Sequence, residues 1–332
     1  MATSQMAKEA AQTPALMAAQ LQANAPRLKG LCDKLVRFDP ELVWIVGRGT
    51  SDHVGVFAKY LIEIEAGVVV SHASPSVASV YQKSIRLKNA LAIFISQSGQ
   101  SLDILAQVEM AKREGAFTLA LVNDESSPLA QQVDFILPIN AGPETAVAAT
   151  KSCLLSLSAL LQLVAYWKDN QALLSSLLAL PAQLQQVVDH HQGGALAFLS
   201  RESACMVLGR GLGYGISREI ALKLKEVCQL HAESYSSAEF FHGPVTLAHK
   251  DFAVLDVAID DETSEVHRQQ MSQIAERGAR CFGLGQSLPQ VSPRLAPLVL
   301  LQNFYLDLAS YAEAQGINPD APVGLSKVTK TL

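Results

Sequence analysis

Three charged residues, Glu219, Lys223 and Glu226, stand at spacings of four and three in "REIALKLKEVCQLHAE", which puts two carboxylates and an ammonium on one helix face. A solvated salt-bridge face is the ordinary explanation of such a row, but the residues around it are unusually apolar for an exposed helix. A carboxylate beside an ammonium in an apolar cleft is also how proton-transfer groups are tuned. A second stretch, "FISQSGQSLD", runs from an apolar segment into Ser96, Gln97, Ser98, Gly99 and Ser101. Where a parallel strand hands over to a helix, unpaired N–H groups at the positive helix end attract anions. Serine and glutamine add neutral donors there and Gly99 lets the backbone come close, so this turn can hold a phosphate without a lysine. The bland alternative is a serine-rich cap for the helix "LDILAQVEMAK".

"GRGTSDHVG" supplies Gly49, Thr50 and Ser51. In a dinucleotide-binding G-x-G-x-x-G the third glycine would fall on Asp52, and in the matching later stretch on Tyr214, so a nicotinamide cofactor is rejected. Thr50 and Ser51 then read as further donors around the same phosphoryl or sugar group, a role compatible with capping the following helix. In "FFHGPV", a Gly-Pro turn could aim the imidazole of His242, or the ring could simply be packed. "PDAPVGLSKVTKTL" is a proline-bearing coil with Ser326, Lys327 and Lys330, by default an exposed tail.

The elements that must position these residues follow from apolar patterning. "LVWIVG", "LAIFIS", "FTLALV" and "FILPI" are too apolar to alternate and are separated by helix-length segments, the pattern of parallel strands covered on both faces. The first ~25 residues have apolar positions at helical spacing and predict a lead-in helix. A second domain echoes the first: Gly47 and Gly209 lie 162 residues apart, the strand candidates "LAIFIS" and "FAVLDV" 161, and Gly115 and Gly278 163. Three near-equal offsets in order indicate duplication of a whole α/β domain. The second copy has "DVAIDDETSE" where the first has the hydroxyl-rich turn, which favours a ligand role for residues 96–101 over a purely structural one.

Composition narrows the function classes. A net charge of −5 without any Lys/Arg run argues against nucleic acid. With 49% hydrophobic and only 17% charged residues, part of the surface is expected to be buried between subunits. Five scattered cysteines (Cys32, Cys153, Cys205, Cys228, Cys281) have no metal-ligand spacing and suit buried thiols in a reducing cytoplasm. The opening residues show no apolar core of a signal peptide, and "SCLLSLSALLQLVAYW" falls short of a membrane span and reads as a buried helix. The expectation is a cytoplasmic protein with no membrane partner, no metal and no cofactor.

In order along the chain, "GRGTSDH", "FISQSGQSLD", "NAGPETAVAATKS", "GRGLGYGISREIALKLKEVCQLHAESYSSAEFFHGP" and "PVGLSK" resemble the motifs of the sugar isomerase (SIS) family, in the tandem form of the isomerase half of glucosamine-6-phosphate synthase. The resemblance covers nearly the whole chain. It implies an α/β fold of two tandem flavodoxin-like domains, each a parallel sheet flanked by helices: a helical lead-in at 1–29, a phosphate-binding domain at 30–170, a connector at 171–194, and a catalytic domain with the C-terminal loop at 195–332. It further implies that Thr50, Ser51, Ser96, Gln97, Ser98 and Ser101 hold the phosphate of a sugar phosphate, with Gly49, Gly99, Ala148 and Ala149 beside the substrate. By the same resemblance Glu226 moves a proton between C1 and C2 with Lys223 and Glu219 beside it, and His242 helps open the ring in the neighbouring subunit of a homodimer with shared sites. Lys327 matches the lysine of a loop that closes over the sugar and can form a Schiff base. Two positions depart from the synthase, Arg48 in place of a cysteine and Ala149 in place of a sugar-contacting serine. The synthase's glutaminase half is also missing, so the resemblance points to glucosamine-6-phosphate deaminase. A fructosamine-6-phosphate deglycase, a galactosamine-6-phosphate deaminase/isomerase and a non-enzymatic sugar-phosphate sensor are the alternatives.

Overall fold

The computed structural model describes residues 4–249, 251–284 and 289–327. Two helices, α1 (Gln5–Ala11) and α2 (Thr13–Phe38), lead into β1 (Leu42–Val46), α3 (Thr50–Glu65), β2 (Val69–His72), the single turn α4 (Ser76–Ser79), β3 (Ala90–Ser96), α5 (Leu102–Arg113), β4 (Phe117–Val122), α6 (Pro128–Gln132), β5 (Phe135–Pro138), α7 (Lys151–Trp167) and α8 (Gln171–Asp189). The second set follows as β6 (Ala204–Gly209), α9 (Leu212–Cys228), β7 (His231–Ser236), the turn α10 (Ser237–Phe240), β8 (Ala253–Val257), α11 (Ser264–Glu276), β9 (Arg280–Gly283) and α12 (Ala296–Ala314).

Two wholly parallel sheets result, one of order β2-β1-β3-β4-β5 and one of order β7-β6-β8-β9. Both have the flavodoxin-like inversion, with the switch in strand order falling between β1 and β3 in one and between β6 and β8 in the other. The duplication read from the sequence is visible down to backbone angles. The "GRG" turns after β1 and β6 place Gly49 at φ 53°, ψ −127° and Gly211 at φ 54°, ψ −126°. Central strands are the apolar ones: every residue of β3 is buried, and Trp44 packs edge-on against Phe94 with ring centroids 6.3 Å apart. The strands that the apolar patterning misses, β2, β7 and β9, all lie at sheet edges, and their sequences "VVSH", "HAESYS" and "RCFG" are polar or short because one side is not covered.

The chain packs as two compact units. One comprises Ala15–Glu144, Lys151–Leu178 and the tail from Ser326, built on the five-stranded sheet. In it α2 is anchored by buried amides: Gln20 donates to the carbonyls of Ile139 (2.6 Å) and Leu155 (2.8 Å), and Asn24 donates to that of Pro138 (3.0 Å). The helix α7, buried along nearly its whole length, fits the reading of a core helix, and among the described residues no helix is long and apolar enough to cross a membrane.

The other unit comprises the residues up to Pro14, Thr145–Thr150 and Ala179–Leu325, built on the four-stranded sheet. Its polar contacts are organised by carboxylate acceptors. Asp320 takes the N–H groups of Gln5 (2.9 Å) and Met6 (2.8 Å) at the start of α1. Glu9, fully buried, accepts from the Thr145 N–H (2.6 Å), the Thr145 hydroxyl (3.0 Å) and the Ala146 N–H (3.2 Å), which clamps the strap 145–150 onto α1. Beyond the end of β8, His267 is buried between Asp256 (Nε2 to Oδ1, 2.6 Å) and the Ser237 hydroxyl (2.9 Å), tying α11 to α10 and β8.

The Glu9 clamp yields a stability test. Glu9→Ala strips a fully buried acceptor from the N–H groups of Thr145 and Ala146, so urea unfolding should show a loss of about 1–3 kcal/mol. Gln5→Ala, which removes only a side-chain donor to the same carboxylate (3.0 Å), should stay within about 0.5 kcal/mol of the wild type. Equal midpoints for the Glu9 variant and the wild type would refute the clamp.

Candidate active site

In the five-stranded unit, β1 and β3 are neighbours, so the turns that leave their carboxyl ends lie side by side at the switch point of the sheet. One turn is Gly47–Ser51, from which α3 starts, and the other is Ser96–Ser101, from which α5 starts. The cap of α3 is Gly49 rather than Thr50 or Ser51, and its positive φ turns the chain sharply into the helix. Ser101 is the N-cap residue of α5, but its side chain makes no capping bond. The serine-rich stretch is therefore not spent on capping. Ser96 Oγ instead accepts the N–H of Gly99 (3.0 Å) and Ser98 Oγ that of Gln100 (3.4 Å).

Gly99 sits at φ 63°, where a Cβ would come within 2.3 Å of the Ser127 hydroxyl, so only glycine fits. The turn is held from outside by the Asn123 N–H on Gln97 O (3.3 Å) and the Leu129 N–H on Gly99 O (3.1 Å). Ser96 and Gly99 are buried while Gln97, Ser98, Thr50 and Ser51 are partly exposed, the arrangement of a supported rim with its polar groups outward.

Lys327 belongs to the same unit, and its Nζ donates to Glu144 Oε2 at 3.0 Å across 183 residues of sequence. The tail is thus anchored rather than loose, and Lys330 lies outside the described residues. The Glu144 side chain is fully buried and also accepts from the Ser152 N–H (3.0 Å) and hydroxyl (2.7 Å). Burial alone would raise its carboxyl, but the Lys327 charge and the Ser152 hydrogen bonds outweigh it and hold the group below the usual carboxylate value.

In the four-stranded unit, α9 carries the charged row, and it is not a solvated face. The side chains of Glu219 and Lys223 are each 1% exposed and that of Glu226 is 24% exposed. Lys223 Nζ lies 2.5 Å from Glu226 Oε2 and 3.4 Å from Glu219 Oε1, while Tyr305 of α12 donates its hydroxyl to Glu219 at 3.0 Å. The order of burial sets the three apart. Glu219 and Lys223 form a fixed interior pair, and Glu226, oriented by a charge-assisted bond, is the member whose carboxylate can meet a ligand. His242 is exposed, on the turn after the buried anchor Phe240, so it is not a packed structural histidine. Ala148 is buried and Ala149 partly exposed on the strap that Glu9 clamps.

Reading the residues one by one missed Glu144 and Tyr305. Glu144 stands inside the quoted "NAGPETAVAATKS", but nothing local marks it as the partner of a lysine far along the chain. The tyrosine lies on a helix with no polar pattern. Burial pushes the thiols of Cys32, Cys205 and Cys228 up to about 12, away from the range of a reactive thiolate. Cys281 is exposed and Cys228 half-buried, so the expectation of uniformly buried thiols holds only for Cys32, Cys153 and Cys205.

The fold as a whole has counterparts in known proteins. A crystal structure from Silicibacter pomeroyi DSS-3, described as a phosphosugar isomerase, matches with a TM-score of 0.90 and 37% identity over 96% of this chain and 100% of that one. The C-terminal domain of glucosamine-fructose-6-phosphate aminotransferase from Francisella tularensis matches with a TM-score of 0.86 and 25% identity, over 96% and 98%. The glutamine–fructose-6-phosphate aminotransferase (isomerizing) of Legionella pneumophila strain Paris is 34% identical over 307 residues, 86% of this chain and 50% of that protein. The enzyme of the same name from Sulfolobus acidocaldarius is 32% identical over 300 residues, 85% and 49%. The chain therefore spans about half the length of the curated relatives it matches. The SIS domain model matches residues 39–166 and 198–290, one segment around each parallel sheet, and the chain belongs to the SIS domain family.

Proposed function

We propose that the protein is a phosphosugar isomerase that acts as an amino-sugar phosphate deaminase, converting glucosamine 6-phosphate and water to fructose 6-phosphate and ammonia. The observation that carries the reading is the row on α9: a partly exposed carboxylate, Glu226, held by the buried ammonium of Lys223, which is backed by Glu219 and Tyr305. Such a row is built to pass a proton between two carbons. The relatives named above act, by their names, on fructose or glucosamine phosphates, which supports an amino-sugar phosphate as substrate. A glucosamine-6-phosphate deaminase structure from Thermotoga maritima, 21% identical with a TM-score of 0.72, shares the fold.

In this reading Thr50, Ser51, Ser96, Gln97, Ser98 and Ser101 hold the phosphate, and His242 assists ring opening. Glu226 removes the proton from C2 of the open-chain aldehyde as O1 takes up a proton, leaving an enolamine, and returns its proton to C1 as the amino group gives one up. The product is a C2 imine; water adds to it, the C–N bond breaks, and ammonia leaves as the ketone forms. The net reaction asks for a phosphate cradle, one acid–base group and water. The exposed His242 is supplied to the site of a second copy, which makes the working unit a homodimer. Lys327, carried by the tail and anchored on Glu144, covers the sugar.

Three measurements test the reading. Ser98→Ala removes a donor to a charged oxygen and should weaken affinity for the phosphorylated sugar about tenfold or more, with little change in melting temperature. An unchanged Michaelis constant would reject the turn as phosphate holder. Glu226→Gln keeps the shape of the side chain but cannot take a proton, so ammonia release across a panel of hexosamine and fructosamine 6-phosphates should fall by about 10² to 10⁴-fold with binding nearly intact. Wild-type turnover in that variant would move the role to Glu219, and a wild type that binds the panel but turns over none of it would establish a sensor. Mixing inactive His242→Ala with inactive Glu226→Gln should restore part of the activity through hybrid sites; none after verified subunit exchange would rule out the shared site.

A further inference from the structure

Arg48 stands in the turn that leaves β1, between Gly47 and Gly49, and its carbonyl accepts the N–H of Ser51 (3.0 Å). Its Nε donates to Asp103 Oδ2 at 2.8 Å. Asp103 is fully buried in the first turn of α5, two residues beyond Ser101. The engaged nitrogen is Nε, which leaves the two terminal amino groups of the fork for a ligand, and 48% of the side chain is exposed. A guanidinium is a poor choice for this place on electrostatic grounds, because α3 and α5 both start here and a helix N-terminus repels cations. Asp103 offsets part of that repulsion and fixes the side chain. The other first-turn acid, Asp52 of α3, is engaged by His72 at 2.9 Å.

The duplicated half shows what such a turn requires. After β6 the same three residue types recur as Gly209, Arg210 and Gly211, with the same backbone angles at the second glycine. Around Gly211 the space is filled from within: a side-chain carbon placed there would meet the Thr263 methyl at 3.3 Å and Asp261 Oδ2 at 3.6 Å. Asp261 is held by the Thr263 N–H (2.8 Å) and hydroxyl (2.6 Å), just ahead of α11. Around Gly49 a side-chain carbon would meet nothing within 4 Å. One copy thus brings its own carboxylate to the "GRG" turn, and the other leaves the same position open beside Ser96–Ser101.

We propose that Arg48 is a specificity-determining residue: clamped by Asp103, it offers its guanidinium fork to the phosphate of the ligand and selects doubly charged phosphate esters over singly charged anions. The inference rests on the reading that this crevice holds a phosphate. It gives Asp103 the part of a positioning residue that acts through Arg48.

The test is calorimetric binding of glucose 6-phosphate and glucose 6-sulfate to the full chain at pH 8, where the phosphate ester is a dianion and the sulfate ester a monoanion. The wild type should prefer the phosphate ester by about tenfold or more. Arg48→Met should weaken phosphate-ester binding by about 10- to 100-fold while changing sulfate-ester binding less, so the preference narrows. Arg48→Lys keeps a charge beside Asp103 but loses the fork and should fall between the two, and it carries the test if Arg48→Met does not fold. Affinities for both esters within twofold of the wild type in a folded Arg48 variant would overturn the proposal. If Ser98→Ala still weakens binding in that case, the phosphate reading of the crevice stands without Arg48. A wild type that binds neither ester overturns both.

Discussion

Parallel pairing governs this molecule. Every strand pair in both sheets is parallel, and a parallel pair cannot be closed by a two-residue hairpin; the chain must cross over through a helix or a long connection each time. Those crossovers cover the sheet faces and drive the strands toward continuous apolar sequence. In the central strands β3 and β8 the polar residue then falls at or next to the carboxyl end. Ser96 is the last residue of β3, Gly209 of β6 and Ser236 of β7, and Asp256 is one short of the end of β8. The same constraint aims helix N-termini into the crevice where β1 and β3 part, so anion attraction is built in before any side chain contributes.

This explains which parts were legible in the sequence. Central strands such as "LAIFIS" announce themselves because both faces are buried, whereas "HAESYS" pairs just as fully with β6 yet reads as a loop because it is an edge. The duplication was readable from glycine spacing, since a tight turn into a helix constrains backbone angles that few residues adopt. The charged row on α9 was readable as a row, but its burial was not: that depends on α12, contributed some 80 residues later, with Tyr305 reaching Glu219. Contacts such as Glu9 with Thr145 and Ala146, or Glu144 with Lys327, join residues 136 or more apart and leave no local periodicity.

The α9 row is also hard to explain as a stability device. A lysine 1% exposed has given up its hydration, and its two carboxylates only offset that loss. Well-packed apolar residues of similar volume are often neutral or better in such places, while removing a single partner costs about 3–5 kcal/mol. A fold that keeps two carboxylates, an ammonium and a tyrosine hydroxyl together in its interior is constrained by what the group does. Under the proposed reading, the gradient of exposure along the row, from closed at Glu219 to open at Glu226, is the form such a constraint takes.

Asp261 has a consequence for how the two duplicated halves respond to their surroundings. A carboxylate tethered to its own backbone stands near Gly211 at a fixed effective concentration, so the space at that turn is filled whether or not a ligand is present. Nothing of the chain fills the matching space at Gly49, beside the Arg48–Asp103 pair, and under the proposed reading the anion that occupies it arrives from solution. Mass action then adds about 2.7 kcal/mol to the five-stranded unit when ligand stands at a hundred times its dissociation constant, and nothing when ligand is absent. Under that reading the turn after β6 is closed by the chain itself, whereas the turn after β1 is completed by the metabolite it holds, and resistance of the folded chain to proteases rises and falls with supply.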